Sequence, residues 1–271
     1  MKTINLIAIL TIIILFWAVC IIFIFFSKCA RKKCCEKYKT EKHNLNKNSQ
    51  IINKEPAKIE NFTIFGERCS GTNFLENAIS KNFDLDLTWD YCWKHWFGNH
   101  VNFSDSDNTL FLCIYRDPVD WINSLYKRKH HISEDIKTVK DFLTKPILSM
   151  DGNDKKKELQ NTRNIYTGKI YKNIFELRAV KLHFLLKEMP RKAKHVEVIS
   201  YEDFCNNYNK IMENLKKKYN LTVKTHKFPE LILDIYRGDT IDSKPYEHNI
   251  SKSKIIPKLS MNIEKMAGYS F

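Results

Sequence analysis

Within Phe62–Leu75, which reads FTIFGERCSGTNFL, a β-prone run (Phe62, Ile64, Phe65) meets Gly66, a Ser70-Gly71-Thr72-Asn73 turn and a helical pattern from Phe74. The 271-residue chain has seven glycines, and two of them stand in this loop. Glycine that scarce belongs where a Cβ is not tolerated, at positive φ or where a ligand lies against the backbone. A strand, a small-residue loop and a helix N-terminus aim several N–H groups and a helix dipole at one spot. That is chemistry for holding an anion, most naturally a phosphate. The nucleoside-triphosphate loop G-x-x-x-x-G-K-[ST] does not fit, because no Lys precedes Ser70 or Thr72. Taken alone, the stretch reads equally as an ordinary βα turn.

A second constellation follows in Thr109–His131, TLFLCIYRDPVDWINSLYKRKHH. Residues 110–115 are a continuous apolar run, as expected of a buried central strand of a parallel sheet. Arg116 ends that strand, where ligands gather in open α/β sheets. Asp117 can cap the next helix and Pro118 suits its first turn. Ser124 comes eight residues after Arg116, inside that helix. A surface ion pair for Arg116, and a backbone hydrogen bond for Ser124, are the plainer alternatives.

Together the two segments resemble the sulfotransferases that use 3′-phosphoadenosine 5′-phosphosulfate. The closest likeness is to a membrane-anchored or bacterial-type branch with GER-x-SGT-N, a Trp-Lys-His segment and RDP-x-x-W-x-x-S. This chain carries Gly66-Glu67-Arg68, Ser70-Gly71-Thr72-Asn73, Trp93-Lys94-His95, Arg116, Trp121 and Ser124 in those places, and the likeness runs from about residue 59 to the end. The resemblance implies a P-loop-like, mostly parallel sheet with helices on both faces. It implies that the Ser70-Gly71-Thr72 loop holds the 5′-phosphosulfate, that Arg116 and Ser124 hold the 3′-phosphate, and that Tyr201, at the end of VEVISYEDF, lies by the adenine. Two positions depart from the pattern. Cys69 stands where many relatives have a Lys or Arg, which leaves Arg68, one residue back, as the candidate cation. Asn73 replaces a Thr, and its amide can still bond a phosphate oxygen. Lys252 and Lys254 are the candidates for a basic C-terminal loop.

Sulfuryl transfer needs in-line alignment, neutralisation of the bridging oxygen and a base for the acceptor hydroxyl. His95 is the expected base and Lys94, with Arg68, the cation on the transferring group; Glu67 and Asp90 compete as bases. The plain alternative packs His95 into an aromatic cluster and leaves Lys94 in solvent. No metal is expected, since His130-His131 and the His95/His100 pair lack Cys or carboxylate company. A glycan, a protein tyrosine, a lipid or a small alcohol each fit as acceptor. Two other readings stand beside the enzyme: a membrane-tethered nucleotide-binding or structural protein on a degenerate form of the fold, and a P-loop kinase-like enzyme, disfavoured by the missing lysine.

Leu6–Phe26 is apolar except for Thr11, and residues 4–26 give a helix of about 35 Å, enough to cross a bilayer. A single-pass anchor is expected rather than a cleaved signal, whose apolar region is shorter. Residues 28–58 read as a stalk with ten Lys/Arg against three Asp/Glu, little able to form a core. That excess beside the span places the domain on the cytoplasmic side, where Cys29, Cys34 and Cys35 suit palmitoylation, whereas the family analogy favours the Golgi lumen. Of the formal +14, residues 59–271 keep +6, which suits an anionic donor and gives little ground for a nucleic-acid partner. The eight cysteines follow no framework or zinc spacing, so mostly free thiols are expected.

One α/β domain over 59–271 must position these residues. The patterning predicts strands at 62–66, near 85–89, at 109–115 and at 195–200. It predicts helices at 72–81, 118–130, 171–189 (stopped by Pro190) and 202–218, a loop or lid at 150–163, and a short closing helix in LSMNIEKMAGY. That alternation implies a mostly parallel sheet with helices on both faces.

Overall fold

The computed structural model describes residues 58–128, 132–151, 157–224 and 249–271. The expected membrane span and all but the last residue of the stalk lie outside the described residues, as do Cys20, Cys29, Cys34, Cys35, His130 and His131. No helix among the described residues is long and apolar enough to cross a membrane.

Four strands form one parallel sheet in the order β2-β1-β3-β6: β1 Asn61–Phe65, β2 Asp86–Leu87, β3 Thr109–Tyr115 and β6 Val196–Ser200. β3 pairs with β1 over five residues, from Asn61 against Thr109 to Phe65 against Cys113, and with β6 from Phe111 against Val196 to Tyr115 against Ser200. Buried on both faces, β1 and β3 have no polar side to show, which is why they read as apolar runs. Side chains alternate between faces. Phe62, Ile64, Leu110, Leu112 and Ile114 pack on α1 (Thr72–Asn82), α6 (Tyr201–Asn206) and α7 (Tyr208–Tyr219). Phe65, Phe111 and Cys113 face the other way, onto Phe184, Leu185 and Met189. A third cluster joins α2 (Pro118–Lys127) to α4 (Ile174–His183) through Trp121, Ile122, Phe175 and Leu177. The expected α/β sheet with helices on both faces is what forms.

After β1 the chain runs through α1 to β2 on one side, then crosses back to β3 on the other. The order therefore reverses between β1 and β3, and the loops after those two strands open the crevice where α/β sheets take their ligands.

Several boundaries differ from expectation. The helix predicted at 171–189 begins at Ile174, because the Asn173 side chain accepts from the N–H groups of Phe175 and Glu176. Pro190 does not stop it. Phe184–Glu188 form a π turn, Met189 N–H reaches back to Phe184 O, and Pro190 falls in the first turn of α5 (Met189–Lys192), where its missing N–H leaves no gap. The helix predicted at 202–218 breaks at Asn207 (φ −123°, ψ 27°) into α6 and α7. α2 ends at Lys127 rather than 130. The stretch predicted as a loop carries a small antiparallel pair, β4 Ser149–Met150 with β5 Glu158–Leu159. α3 (Val139–Thr144), with a capping box from Thr138 and Asp141, packs on α4. α8 (Lys252–Ile255) precedes the closing helix α9 (Met261–Met266).

Candidate functional site

The loop after β1 is built around its glycines. A Cβ on Gly66 would stand 2.5 Å from the Ile114 carbonyl oxygen, so only glycine lets the loop leave β1 pressed against β3. Gly71, at φ +95°, is the N-cap of α1; a Cβ there would meet the Tyr201 ring at 2.4 Å. Between them, Cys69 also takes a positive φ of 65°. The buried Ser70 hydroxyl bonds the Glu67 carbonyl at 2.6 Å and lies 3.3 Å from that of Ile114, bracing the loop from within. No side chain caps α1 at its Gly71 end, which carries the positive pole of the helix dipole.

The second constellation closes on this loop. Asp117 caps α2 by accepting from Val119 and Asp120, while its own N–H donates to Glu202 at 2.9 Å. Trp121, almost fully buried, donates Nε1–H to the Arg68 carbonyl at 2.8 Å, which gives the tryptophan of that motif a structural purpose. The Arg116 guanidinium lies 4.6 Å over the Tyr201 ring with Nη1 3.5 Å from the Cys69 carbonyl. Burial pushes the Cys69 thiol up, while Ser124, Arg128, Arg116 and Arg68 around it pull it down. Arg116, Ser124 and Tyr201 thus meet at Cys69 and Gly71. Burial also pushes the Tyr201 hydroxyl up to about 12, so it is neutral. Arg128 was missed by the sequence reading; it falls four residues after Ser124, one turn along the same face of α2.

The Trp93-Lys94-His95 segment docks on the end of β1. Gly66 N–H donates to the Lys94 carbonyl at 3.0 Å, and His95 Nδ1 lies 2.7 Å from the Gly66 carbonyl. A carbonyl only accepts, so Nδ1 carries the proton and Nε2 keeps its lone pair. Burial, with Arg68, Lys94 and Lys181 nearby, holds the imidazole down to about 3, against the hydrogen bond to Gly66. His95 is therefore neutral, packed edge-on to Trp93 at 4.8 Å, and both packed and placed at the loop. Lys94 is not left in solvent: it bonds Asn73 Oδ1 and pairs with Glu76 at 2.8 Å, tying it to the first turn of α1. Arg68 lies 5.4 Å over the Trp93 ring, and burial lowers its pKa.

Glu67 is not presented as a free base. Its carboxylate accepts from Lys181, whose ammonium also bonds the His95 carbonyl at 2.8 Å and the Asn161 carbonyl at 2.6 Å. Lys181 was missed: it falls four residues after Leu177 on α4, but a lysine at such a position reads as solvent-exposed until its distant partners are known. Asp90 is exposed in the turn beyond β2. Lys252 and Lys254 are exposed on α8, on a segment held to α2 by paired bonds between Asn123 and Ile250 of 3.0 and 2.8 Å.

Two buried guanidinium nitrogens, Arg68 Nη1 and Arg116 Nε, have no hydrogen-bond partner among the described residues. Such donors are costly to bury unmet, and the same holds for Thr63 Oγ1, Asn82 Oδ1, Glu158 Oε1, Asn161 Oδ1 and His195 Nε2, which are also buried without a partner. Among the described residues no group of three His, Cys, Asp or Glu could hold a metal ion, and Cys69, Cys92, Cys113 and Cys205 are unpaired thiols. A cavity of about 610 Å³ along β6 and α7 has none of these residues in its lining.

No family model matches this chain, and no curated protein matches it.

Proposed function

We propose that the chain transfers a sulfuryl group from 3′-phosphoadenosine 5′-phosphosulfate to an acceptor hydroxyl, from a P-loop-like sulfotransferase domain tethered to a bilayer by residues 4–26. One observation carries the reading. The Ser70-Gly71-Thr72 loop and the Arg116/Ser124 pair converge at the switch point of the sheet, leaving Arg68 Nη1 and Arg116 Nε buried and unmet. Two anionic groups held by one nucleotide would satisfy both nitrogens and the first turn of α1 together.

The nucleotide supplies an activated sulfuryl group on a phosphate leaving group. Arg116, Ser124 and Arg128 hold its 3′-phosphate beside Tyr201, and the loop N–H groups with Thr72 and Asn73 hold the 5′ end. Arg68 replaces the cation that Cys69 does not supply, and Lys94 stands by Asn73 on the other side of the loop. The bond from acceptor oxygen to sulfur forms as the bond from sulfur to the bridging oxygen breaks. The acceptor proton passes to His95 Nε2, and adenosine 3′,5′-bisphosphate departs. A base of such low pKa suffices when the transition state is loose, because the acceptor proton becomes acidic only late, and an anionic donor nearby raises the imidazole again.

Cys69 favours one second reading, a protein that binds the nucleotide and does not turn it over, since a thiol kept neutral by burial supplies no positive charge to the transferring group. Calorimetric titration of the full chain with adenosine 3′,5′-bisphosphate, with ADP as control, tests the pocket. Micromolar binding with a strong preference over ADP is expected. Equal affinity for the two, or none for the bisphosphate, would end the sulfotransferase reading; where the bisphosphate binds selectively, turnover of the sulfuryl donor separates enzyme from binding protein.

A further inference from the structure

α9 ends in a tight left-handed turn. Gly268 stands at φ +88°, its N–H meets the Lys265 carbonyl at 3.1 Å, and the Tyr269 N–H reaches back to the Glu264 carbonyl at 3.0 Å. This is the glycine C-cap that reverses a chain after a helix. Glu264 is also a rivet: its carboxylate, almost fully buried, takes two bonds of 2.7 Å from Arg178 on α4. Backbone and side chain of one residue thus fix where Tyr269 stands relative to α4.

Beyond the rivet, the contacts of this strap fall on the two neighbours of Arg116. The Tyr115 hydroxyl donates to the Ala267 carbonyl at 3.0 Å, and its ring meets that of Tyr269 edge-on at 6.0 Å. The Tyr269 hydroxyl donates to one oxygen of Glu202 at 2.8 Å, while the other oxygen accepts from the Asp117 N–H at 2.9 Å. Burial and that carboxylate push the Tyr269 hydroxyl up, so it stays a donor. Glu202 follows Tyr201, the ring on which Arg116 lies. Arg178 in turn stands 5.3 Å over Trp121, whose indole holds the Arg68 carbonyl. A small cavity has Ser70, Tyr115, Arg116, Trp121 and Arg178 in its lining, so the strap's contacts and the donor residues border one space.

Core packing does not account for these contacts. Among residues 265–271 only Ala267 is buried, and Met266 and Phe271 are 39 and 47% exposed. Hydrogen bonds hold the strap instead, and because they are directional they fix an orientation. Arg116 needs that. It stands where the pairing of β3 with β6 ends, at Tyr115 against Ser200. A long side chain at such a place must be ordered to meet a phosphate, and a backbone held beforehand lowers the ordering cost of binding.

We infer that Tyr269 is a positioning residue of the donor site: through Glu202 and Asp117 on one side and Tyr115 on the other, it holds Arg116 in place for the 3′-phosphate. The inference rests on the sulfotransferase reading for the identity of that ligand.

The test is calorimetry of the full chain and of Tyr269→Phe and Tyr115→Phe, each lacking one hydroxyl, with adenosine 3′,5′-bisphosphate and with ADP. Urea midpoints report the folding of the same preparations, and Tyr115→Phe reads the clamp from its other side should Tyr269→Phe fail to fold. Each variant is expected to weaken the bisphosphate about three- to tenfold, the range of one hydrogen bond, and ADP by less than about twofold, so that the preference between them falls. In an Arg116→Ala background Tyr269→Phe should weaken the bisphosphate no further, because its action passes through that side chain. A parent chain that prefers the bisphosphate, with variants that keep the preference, overturns the inference and leaves the donor reading standing. Equal losses for both nucleotides, or a further loss in the absence of Arg116, overturn it in favour of a merely structural strap. A parent chain without preference sinks the donor reading, and the inference with it.

Discussion

The ammonium of Lys181, fully buried, donates to the backbone oxygen of His95 at 2.8 Å. Its other two bonds go to the Glu67 carboxylate and, at 2.6 Å, to the Asn161 carbonyl. Three donors meet three acceptors, so one side chain of α4 ties together the loop after β1, the Trp-Lys-His segment and the turn after β5. The positions of the loop after β1 and of His95 are thereby set by a residue that no solvent-borne ligand reaches.

Lys181→Met keeps the stem and removes the charge, leaving Glu67 unpaired and two carbonyls unmet. A loss of about 3–5 kcal/mol is expected, as for one partner of a buried pair. Adding Glu67→Gln should return part of it, because the abandoned charge goes too. Urea midpoints of the single and double variants at pH 7 decide this. A single variant within about 1 kcal/mol of the parent would remove the hub.

His95 gives the protein a pH dependence of definite sign. Its imidazole falls from 6.5 to about 3 on folding, mainly through burial. Between those values the unfolded chain binds the extra proton, so stability rises with pH across that window and is lost as pH falls through it. The contribution is about 2 kcal/mol less at pH 5 than at pH 7. His95→Asn, whose amide can still donate to the Gly66 carbonyl, should flatten that slope. An unchanged slope in urea unfolding from pH 7 to pH 5 would mean that His95 is not held neutral.

Gly71 carries both strain and contact. At φ +95° an added Cβ costs about 1–2 kcal/mol in backbone alone, and it would also strike the Tyr201 ring. Gly71→Ala should therefore destabilise by about 2–4 kcal/mol. Tyr201→Ala in the same chain should recover at least about 1 kcal/mol of it, since the two sites share one contact. Strict additivity in a double-mutant cycle would show that the ring does not lie on the loop.

What the sequence disclosed follows from locality. β1 and β3 are short, buried on both faces and continuous in apolar residues, and Asp117-Pro118 announces α2 within two residues. Ser124 and Tyr201 were singled out through the resemblance, whereas Arg116 was legible by its place at the end of β3. Lys181 was not, because periodicity sends a lysine to solvent unless its partners are known, and Glu67 lies 114 residues away. The buried pair of Arg178 with Glu264, two bonds of 2.7 Å across 86 residues, was hidden for the same reason. Pro190 misled because a π turn upstream shifts it into a position where its ring fits.

Arg116 carries the last prediction. Its guanidinium is stacked on Tyr201, its Nη1 makes only a long contact to the Cys69 carbonyl, and its Nε is buried without a partner. A charge-assisted bond to a phosphate is worth about 1.5–3 kcal/mol, or roughly 10- to 150-fold in affinity. Arg116→Ala should weaken adenosine 3′,5′-bisphosphate by that factor and ADP, which lacks the 3′-phosphate, by no more than about threefold. Ser124→Ala should follow the same pattern with a smaller loss, because a neutral hydroxyl gives the weaker bond. Equal losses for both nucleotides would place Arg116 at the 5′ end or in the scaffold, and the 3′-phosphate would need another holder, for which Arg128, at the C-cap of α2, is the candidate.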